Sequence, residues 1–185
     1  ETQDRVRAGL ARRYRAERRF RAYGIAAITF GVAFVIFLFG TVFSQGVSAL
    51  RQAYLQIDVF YDPEIIDPAG NRDPDDLMVA DYQSLVRASL RERFPTVEGR
   101  PALRELYSIA SSAASVGLQR RVTADPDLIG QRERLWVLAD DTVDMFLKGK
   151  VSRSAPEEER RLSDAQIGQI DVLESQKALK LRFNT

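Results

Sequence analysis

The chain contains no cysteine and no histidine among its 185 residues. Without cysteine it has no disulfide, no thiolate nucleophile and no thiolate metal site, and its composition suits a compartment in which free thiols oxidise. Without histidine it lacks the most common general base and the most common transition-metal ligand. Catalysis would have to use carboxylates, serine, lysine or tyrosine, so the composition disfavours an enzyme.

Charge is distributed unevenly along the chain. The whole sequence has a net charge of +1. Residues 1–22 hold eight arginines against three acidic residues, a net charge of +5, and the remaining 19 basic and 23 acidic residues give the rest of the chain −4. A basic head and a mildly acidic body on either side of an apolar segment are typical of a membrane protein whose ends lie in different compartments.

The apolar segment runs from Gly24 to Phe43, which is 20 residues without a charge. Twelve of these residues are Leu, Ile, Phe or Val. A helix of this length spans about 30 Å, the thickness of the hydrocarbon core of a bilayer. We therefore predict a transmembrane helix over residues 23–46. A cleaved signal peptide is the alternative, although its apolar region is shorter, about 7–15 residues.

Six arginines shortly before the apolar segment predict its orientation, because basic residues stay on the cytoplasmic side of a membrane. They are Arg12, Arg13, Arg15, Arg18, Arg19 and Arg21. Residues 1–22 are expected to form a basic cytoplasmic tail that contacts membrane lipid. Residues 47–185 are expected to form a periplasmic domain of a protein in the bacterial inner membrane. An arginine-rich tail can also bind nucleic acid, but its position beside a membrane span argues against a nucleic-acid partner.

One face of the predicted membrane helix is built from small residues. Gly24, Ala27 and Gly31 are spaced i, i+3 and i+7, so they share one side of a helix. Small residues let a second helix approach closely in a membrane. The spacing predicts that this helix packs against another one, although glycine is also common in membrane helices in general.

The body begins and ends with the pattern of a strand. Leu55, Ile57 and Val59 alternate with polar residues, and the segment from Leu179 to Phe183 alternates in the same way. Helices are predicted between them over residues 81–94, 101–122, 126–148 and 163–176. The expected fold is mostly α: one N-terminal transmembrane helix, followed by a helical extracytoplasmic α+β domain whose small two-stranded sheet closes its ends.

Three segments carry side chains that could take part in metal binding or catalysis. A loop holds five oxygen donors without the spacing of a calcium loop, and we interpret it as a solvated turn; they are Asp67, Asn71, Asp73, Asp75 and Asp76. Asp140 and Asp144 are four residues apart on a predicted helix and could act as an acid–base pair or form a charged outer face. The segment from Ser108 to Gly117 is rich in serine and alanine and lacks the nucleophile-elbow pattern.

The remaining motifs favour structural roles. Trp136 is expected in the core, on the apolar face of a helix. The sequence shows neither a phosphate-binding loop nor a dinucleotide fingerprint. We therefore predict no catalytic, cofactor-binding or metal-binding residue.

The pattern as a whole resembles a known family. The lead-in LARRYRAERRFRAYGIAAI, the segment VFSQGVSALRQAYLQIDVFYDP and the closing LKLRFN are similar to the extended N-terminal region of PstA-type permease subunits of bacterial phosphate ABC transporters. The resemblance covers nearly all of the chain. In that family the region holds the first membrane helix and a large periplasmic insertion, and the family's chains continue into a multi-helix permease module that carries the translocation path.

The resemblance implies a subunit that supports the import of inorganic phosphate across the inner membrane. Its implied partners are a second permease subunit, an ATP-binding subunit that drives transport, and a periplasmic phosphate-binding protein, with no cofactor and no enzymatic activity in this chain. Four arginines of the body could contact such a partner or form a solvated face; they are Arg120, Arg121, Arg132 and Arg134. The alternative is a single-span membrane protein with a periplasmic sensing or partner-binding domain.

Overall fold

A long continuous helix, α1, occupies Thr2–Ala49 in the computed structural model, which describes the backbone of residues 2–183 and the side chains of residues 17–44, 46 and 50–183. Within it, the stretch Glu17–Ser44 has a mean hydropathy of 2.5 and is long and apolar enough to cross a membrane. Its apolar side chains are exposed, among them Phe20 at 81% and Phe37 at 71%. Soluble proteins rarely leave so much contiguous apolar surface uncovered. This helix could anchor the chain in a membrane.

The chain divides after Ala49 into two compact units, of which the second is the body. Its helices and strands, in chain order, are β1 Arg51–Phe60, α2 Pro63–Ile66, α3 Pro74–Val79, α4 Tyr82–Arg93, α5 Arg100–Tyr107, α6 Ala113–Ala124, β2 Arg132–Leu138, α7 Asp141–Leu147, α8 Asp164–Ser175 and β3 Leu179–Phe183. Single 3₁₀ turns occupy Pro126–Leu128 and Glu157–Glu159. The mostly helical class with a small sheet is as predicted.

The strands form one antiparallel sheet in the order β2-β1-β3. The first and last strands pair, with Arg51 opposite Phe183 and Leu55 opposite Leu179, which confirms the predicted closure of the body's ends. The sheet has three strands instead of the predicted two, because β2 pairs with the other edge of β1 from Tyr54 to Phe60.

The alternating sequence of β1 divides the sheet into two faces. Ala53, Leu55, Ile57 and Val59 are 0–1% exposed. Burying each of the three larger side chains contributes about 1.5–3 kcal/mol. Helices α4 and α7 pack against β1, α6 against β2 and α8 against β3. The buried side chains of these helices complete the core, including Leu85, Val86, Leu90, Leu118, Val143, Ile170 and Leu173.

The ends of α7 and α8 follow from local sequence. Ser163 caps α8 in a capping box, in which its hydroxyl accepts from the Gln166 N–H and the Gln166 side chain accepts from the Ser163 N–H. Gly149 ends α7 at φ +70°, a conformation that favours glycine. The N–H groups of Gly149 and Lys150 donate to the carbonyls of Phe146 and Met145, as in a Schellman motif.

The helix predicted over residues 101–122 is wrong: two helices, α5 and α6, occupy this region. The chain leaves the helical path where Ala110 forms a bridge with Ala139 and the Ser111 N–H donates to the Leu138 carbonyl at 3.0 Å. These bonds tie the segment to the end of β2. Its small side chains permit this close approach of the backbone.

The helix predicted over residues 126–148 is also wrong in its first half. A single 3₁₀ turn occupies Pro126–Leu128, residues 132–138 form the strand β2, and the α-helix begins only at Asp141. Pairing along seven residues of β1 supplies the hydrogen bonds that hold this segment extended. Trp136 therefore lies on a strand and is only partly buried, contrary to the core position predicted on a helix.

The loop after β1 also contains two short helices, α2 and α3.

Tyr61 fixes the end of the central strand in the core. Its side chain is fully buried and its hydroxyl donates to Glu133 Oε2 at 3.0 Å. Arg121 pairs with the same carboxylate. Burial, together with the adjacent Glu133 carboxylate, raises the pKa of Tyr61 from 10.0 to about 12.

We expect Tyr61→Phe to lower the free energy of unfolding by about 1 kcal/mol below pH 10, because it removes one hydrogen bond. The folded state binds the phenolic proton more tightly than the unfolded state, so this stabilisation is complete below the unfolded pKa of about 10 and is lost as the pH rises toward 12. Urea unfolding of the full chain in detergent, followed by Trp136 fluorescence, measures the free energy of unfolding at about pH 8 and about pH 11. The difference in this free energy between wild type and variant should be smaller at the higher pH.

The control is Tyr107→Phe, since Tyr107 is only half buried. A difference in free energy of unfolding between wild type and Tyr61→Phe that stays constant with pH would contradict the proposed proton linkage at Tyr61.

Candidate functional site

The three small residues predicted to pack in a membrane lie within α1. A Cβ atom added at Gly24 or Gly31 would meet nothing within 4 Å. Their helical spacing places them with Ala27 on one side of α1. The described structure therefore leaves this stripe open to another helix, and helix packing through it stays a prediction.

The predicted topology-determining arginines also lie on α1. Arg18, Arg19 and Arg21 are exposed, immediately before the apolar stretch. The side chains of Arg12, Arg13 and Arg15 lie outside the described residues. Exposed guanidinium groups next to an apolar segment can reach lipid phosphates or water at a membrane surface.

In the body, charged and aromatic side chains converge on the outer face of the sheet, opposite the core. The alternation of β1 directs Tyr54, Gln56 and Asp58 to this face. Trp136 of β2 stands opposite Gln56, and Lys180 of β3 stands opposite Tyr54. The Lys180 Nζ lies 3.5 Å from the centroid of the Trp136 ring, which is a cation–π contact.

Basic side chains on this outer face pair with carboxylates and lie near aromatic rings. Arg134 Nε lies 2.9 Å from Asp58 Oδ1, its cross-strand partner. Arg132 NH1 lies 2.8 Å from Glu92 Oε2, and its hydrogen bond lowers the pKa of that carboxyl group. The Arg132 guanidinium also lies 5.8 Å from the ring centroid of Phe60. Exposed pairs of this kind contribute about 0–1 kcal/mol each, so they order the surface more than they stabilise it.

The four arginines predicted as partner contacts or solvated surface are therefore of two kinds. Arg121, Arg132 and Arg134 each pair with a carboxylate of the body. Arg120 is exposed on α6. The pairing reduces the positive charge that three of these residues can offer to a partner.

A groove of about 1030 Å³ lies beside α4, the segment 95–99 and α5. Its size is at the upper end of small-molecule sites. Basic and acidic side chains line it in equal number, and Arg87 lies 5.7 Å from the ring centroid of Tyr107. The groove therefore has no net charge with which to select an ion of either sign.

The carboxylates considered for acid–base chemistry have structural hydrogen bonds. Asp140 caps α7 by accepting from the Thr142 N–H at 2.8 Å. Asp144 Oδ1 accepts from the Ala53 N–H at 2.8 Å, and its Oδ2 lies 2.5 Å from Lys148 Nζ. The bond to Ala53 fastens α7 to the first residues of β1, whereas the bond to Lys148 lies at the end of α7 itself.

The oxygen donors of the loop after β1 also bind the backbone. Asp67 is buried and accepts from the N–H groups of Asn71 and Arg72. Asp73 caps α3 by accepting from the Asp75 N–H at 2.9 Å. Within the part of the chain that the structure describes, no group of three or more potential metal-ligating side chains comes together.

Sequence reasoning missed the outer face of the sheet because it took β2 for part of a helix. A signal was present, since Arg132, Arg134 and Trp136 alternate with Glu133, Leu135 and Val137. That period of two is the mark of a strand with one exposed face.

We expect Asp144→Ala to lower the free energy of unfolding by about 1–3 kcal/mol, because it leaves the buried N–H of Ala53 without an acceptor. Asp144→Asn keeps an oxygen in place and should cost less. Urea unfolding of the full chain in detergent, monitored by Trp136 fluorescence, measures both.

The matched control is Asp171→Ala, which removes an exposed carboxylate 2.6 Å from Arg153. Its effect should stay within about 1 kcal/mol. Equal losses for Asp144→Ala and Asp171→Ala would contradict the role assigned to Asp144.

Comparison with known proteins identifies one family. No curated protein and no solved structure shows significant similarity to the chain. A family model described as Domain of unknown function (DUF3333) matches residues 7–157, a range that runs from α1 through α7. This match covers well over half of the sequence, and the chain belongs to the DUF3333 family.

Proposed function

We propose that this chain provides the first membrane-spanning helix and a periplasmic insertion domain of a phosphate ABC transporter permease subunit of the PstA type. The observation that carries the proposal is the pairing of the body's first and last strands, which sets Arg51 opposite Phe183. It is joined by the sequence resemblance over nearly all of the chain. In this role the protein supports the import of inorganic phosphate across the bacterial inner membrane.

The strand pairing supports an insertion because of what an inserted domain must do. A domain placed between two membrane helices has to return the chain close to the point where it left. Strand β1 begins two residues after α1 ends, and β3 runs antiparallel beside it. The body thus returns the chain to its own starting point, so that it could be added to a membrane protein without separating the helices on either side.

The distribution of basic residues supports the orientation. The arginines of residues 1–22 precede the apolar stretch of α1, which favours a cytoplasmic N-terminus and a periplasmic body. The absence of cysteine from the sequence agrees with exposure of the body to an oxidising compartment.

The division of labour within such a transporter assigns this region a supporting role. ATP hydrolysis belongs to a separate ATP-binding subunit, so the chain itself is proposed to lack enzymatic activity. Helix α1 would pack against a neighbouring membrane helix, of this subunit or of the second permease subunit, through Gly24, Ala27 and Gly31. The periplasmic body would meet the partner permease or the phosphate-binding protein. The part of the outer face formed by β1 and β2, with the ordered pair of Arg134 and Asp58, is available for such a contact.

The proposal is tested by the mass and regulation of the native protein. An antibody raised against residues 127–148 should detect, in inner membranes, a band much heavier than the 20.9 kDa of this sequence. The band should become more abundant when cells are starved of phosphate. A band at about 20.9 kDa with no response to phosphate would instead support a single-span protein with a sensing or partner-binding domain.

The proposed packing of α1 gives a sharper test. Gly24→Leu together with Gly31→Leu should lower co-purification of the native subunit with its partner permease about fivefold, since an interhelical contact in a membrane contributes about 1 kcal/mol. The bulkier side chains would keep the neighbouring helix away from the stripe.

Gly40→Leu is the matched control, because residue 40 lies about 160° around the helix from residue 24. A Cβ at Gly40 likewise meets nothing within 4 Å. Equal loss from both changes, or no loss from either, would count against packing through this stripe.

A further inference from the structure

We propose that the end of the body nearest α1 in the chain is a docking surface for anionic lipid headgroups. This basal surface is the end of the sheet formed by Leu50, Arg51, Tyr54, Lys180, Arg182 and Phe183, with Arg51 and Phe183 on one side of the sheet and Tyr54, Lys180 and Arg182 on the other. The inference rests on the insertion of α1 in a membrane, as in the proposed function, and it adds a specific lipid contact that neither the family nor the resemblance assigns.

Chain connectivity keeps the basal surface close to any membrane that α1 crosses. Leu50 alone separates the end of α1 from the start of β1. Consecutive Cα atoms are about 3.8 Å apart, so Arg51 stays within about 8 Å of Ala49. Pairing with Arg51 then holds Phe183 at the same end of the sheet. Between the apolar stretch of α1 and β1 lie only the last turn of α1, residues 45–49, and Leu50, so little chain separates this end of the body from the lipid.

The charge of the basal surface is positive. Arg51, Lys180 and Arg182 are all exposed, and among the described residues no carboxylate lies within ion-pair distance of them. The carboxylate that bonds to this end of β1, Asp144, is already engaged by the Ala53 N–H and by Lys148. Three cations are thus left for an external anion.

Each of these cations lies over an aromatic ring. The Arg51 guanidinium lies 4.9 Å from the Phe183 ring centroid, Arg182 lies 6.0 Å from that of Tyr54, and Lys180 lies 3.5 Å from that of Trp136. Leu50 and Phe183 are 60% and 52% exposed. Basic groups beside tyrosine, tryptophan and exposed apolar side chains match the chemistry of a membrane interface, where phosphates and the edge of the hydrocarbon are both within reach.

Charge complementarity favours anionic lipid as the occupant. A basic residue near an anionic bilayer contributes about fivefold in membrane affinity, so three of them give a strong preference over zwitterionic lipid. An acidic protein would use the same cations, but it would not explain why they collect beside exposed Leu50 and Phe183 at the end of the body that follows the apolar helix.

The test uses Trp136, the one tryptophan in the sequence, as the reporter. The full chain is reconstituted into phosphatidylcholine vesicles with and without about one third phosphatidylglycerol, each containing a phosphatidylcholine with a nitroxide on its headgroup. Resistance to carbonate extraction establishes insertion of α1 in both. We expect the nitroxide to quench Trp136 more strongly in the anionic vesicles and the difference to shrink at high salt.

Paired variants identify the residues responsible. Arg51→Gln with Arg182→Gln leaves Lys180 and Trp136 intact and should reduce the ratio of docked to undocked body about 25-fold in anionic vesicles. Quenching should then fall most of the way to the level seen in pure phosphatidylcholine, with Lys180 accounting for the remaining difference. Arg100→Gln with Arg120→Gln removes the same charge from exposed positions on α5 and α6 and should leave quenching unchanged.

Each outcome decides the matter. An inserted chain whose Trp136 is quenched equally in both vesicles, or equally in both paired variants, overturns lipid docking while leaving the proposed function in place. A chain that carbonate extracts from the vesicles overturns both proposals.

Discussion

The body depends on its central strand, because β1 is hydrogen-bonded on both edges while one of its faces is buried from Ala53 to Val59. Every other strand is placed by its register with β1, and helices α4 and α7 pack directly on it. A shift of one residue in this register would move Leu55, Ile57 and Val59 to the outer face and bring Gln56 and Asp58 into the core. Because this shift would expose apolar side chains and bury polar ones, it costs free energy, and the register of β1 therefore determines the arrangement of the whole body.

Polar side chains supply hydrogen-bond partners where the strand pairing of β1 ends. Beyond β3, the Gln56 carbonyl accepts from Arg93 NH1 of α4 at 2.8 Å, so a guanidinium takes the position of the next strand residue. At the start of the strand, the Asp144 carboxylate accepts a hydrogen bond from the Ala53 N–H. At its end, Tyr61 reaches across to Glu133 of β2. These bonds satisfy backbone and side-chain groups that burial would otherwise leave unpaired.

The sequence predicted those parts of the fold that local patterns determine. The alternation in β1 and β3, the helix before Pro95 and the serine cap of α8 all depend on neighbours in the chain, and all are present. Strand β2 was missed because its extended conformation depends on pairing with β1, more than 70 residues earlier in the chain. The break between α5 and α6 was missed for the same reason, since the bond from Ser111 to Leu138 joins distant segments. The outer face of the sheet could not be assembled without β2, whereas the apolar helix and its arginines could be read directly from composition.

The pairing of Arg51 with Phe183 has a consequence for the order of folding. These residues are separated by more than 100 positions, so the sheet cannot be completed until nearly the whole body is available. Closing such a long loop is slow compared with forming local helices, and the unpaired edge of β1 stays exposed in the meantime. A body that crosses a membrane in the unfolded state, starting from its end nearest α1, would emerge with its central strand first and its closing strand last. For a body exported in this way, efficient biogenesis would require that the open edge be protected, by a chaperone or by rapid addition of β2.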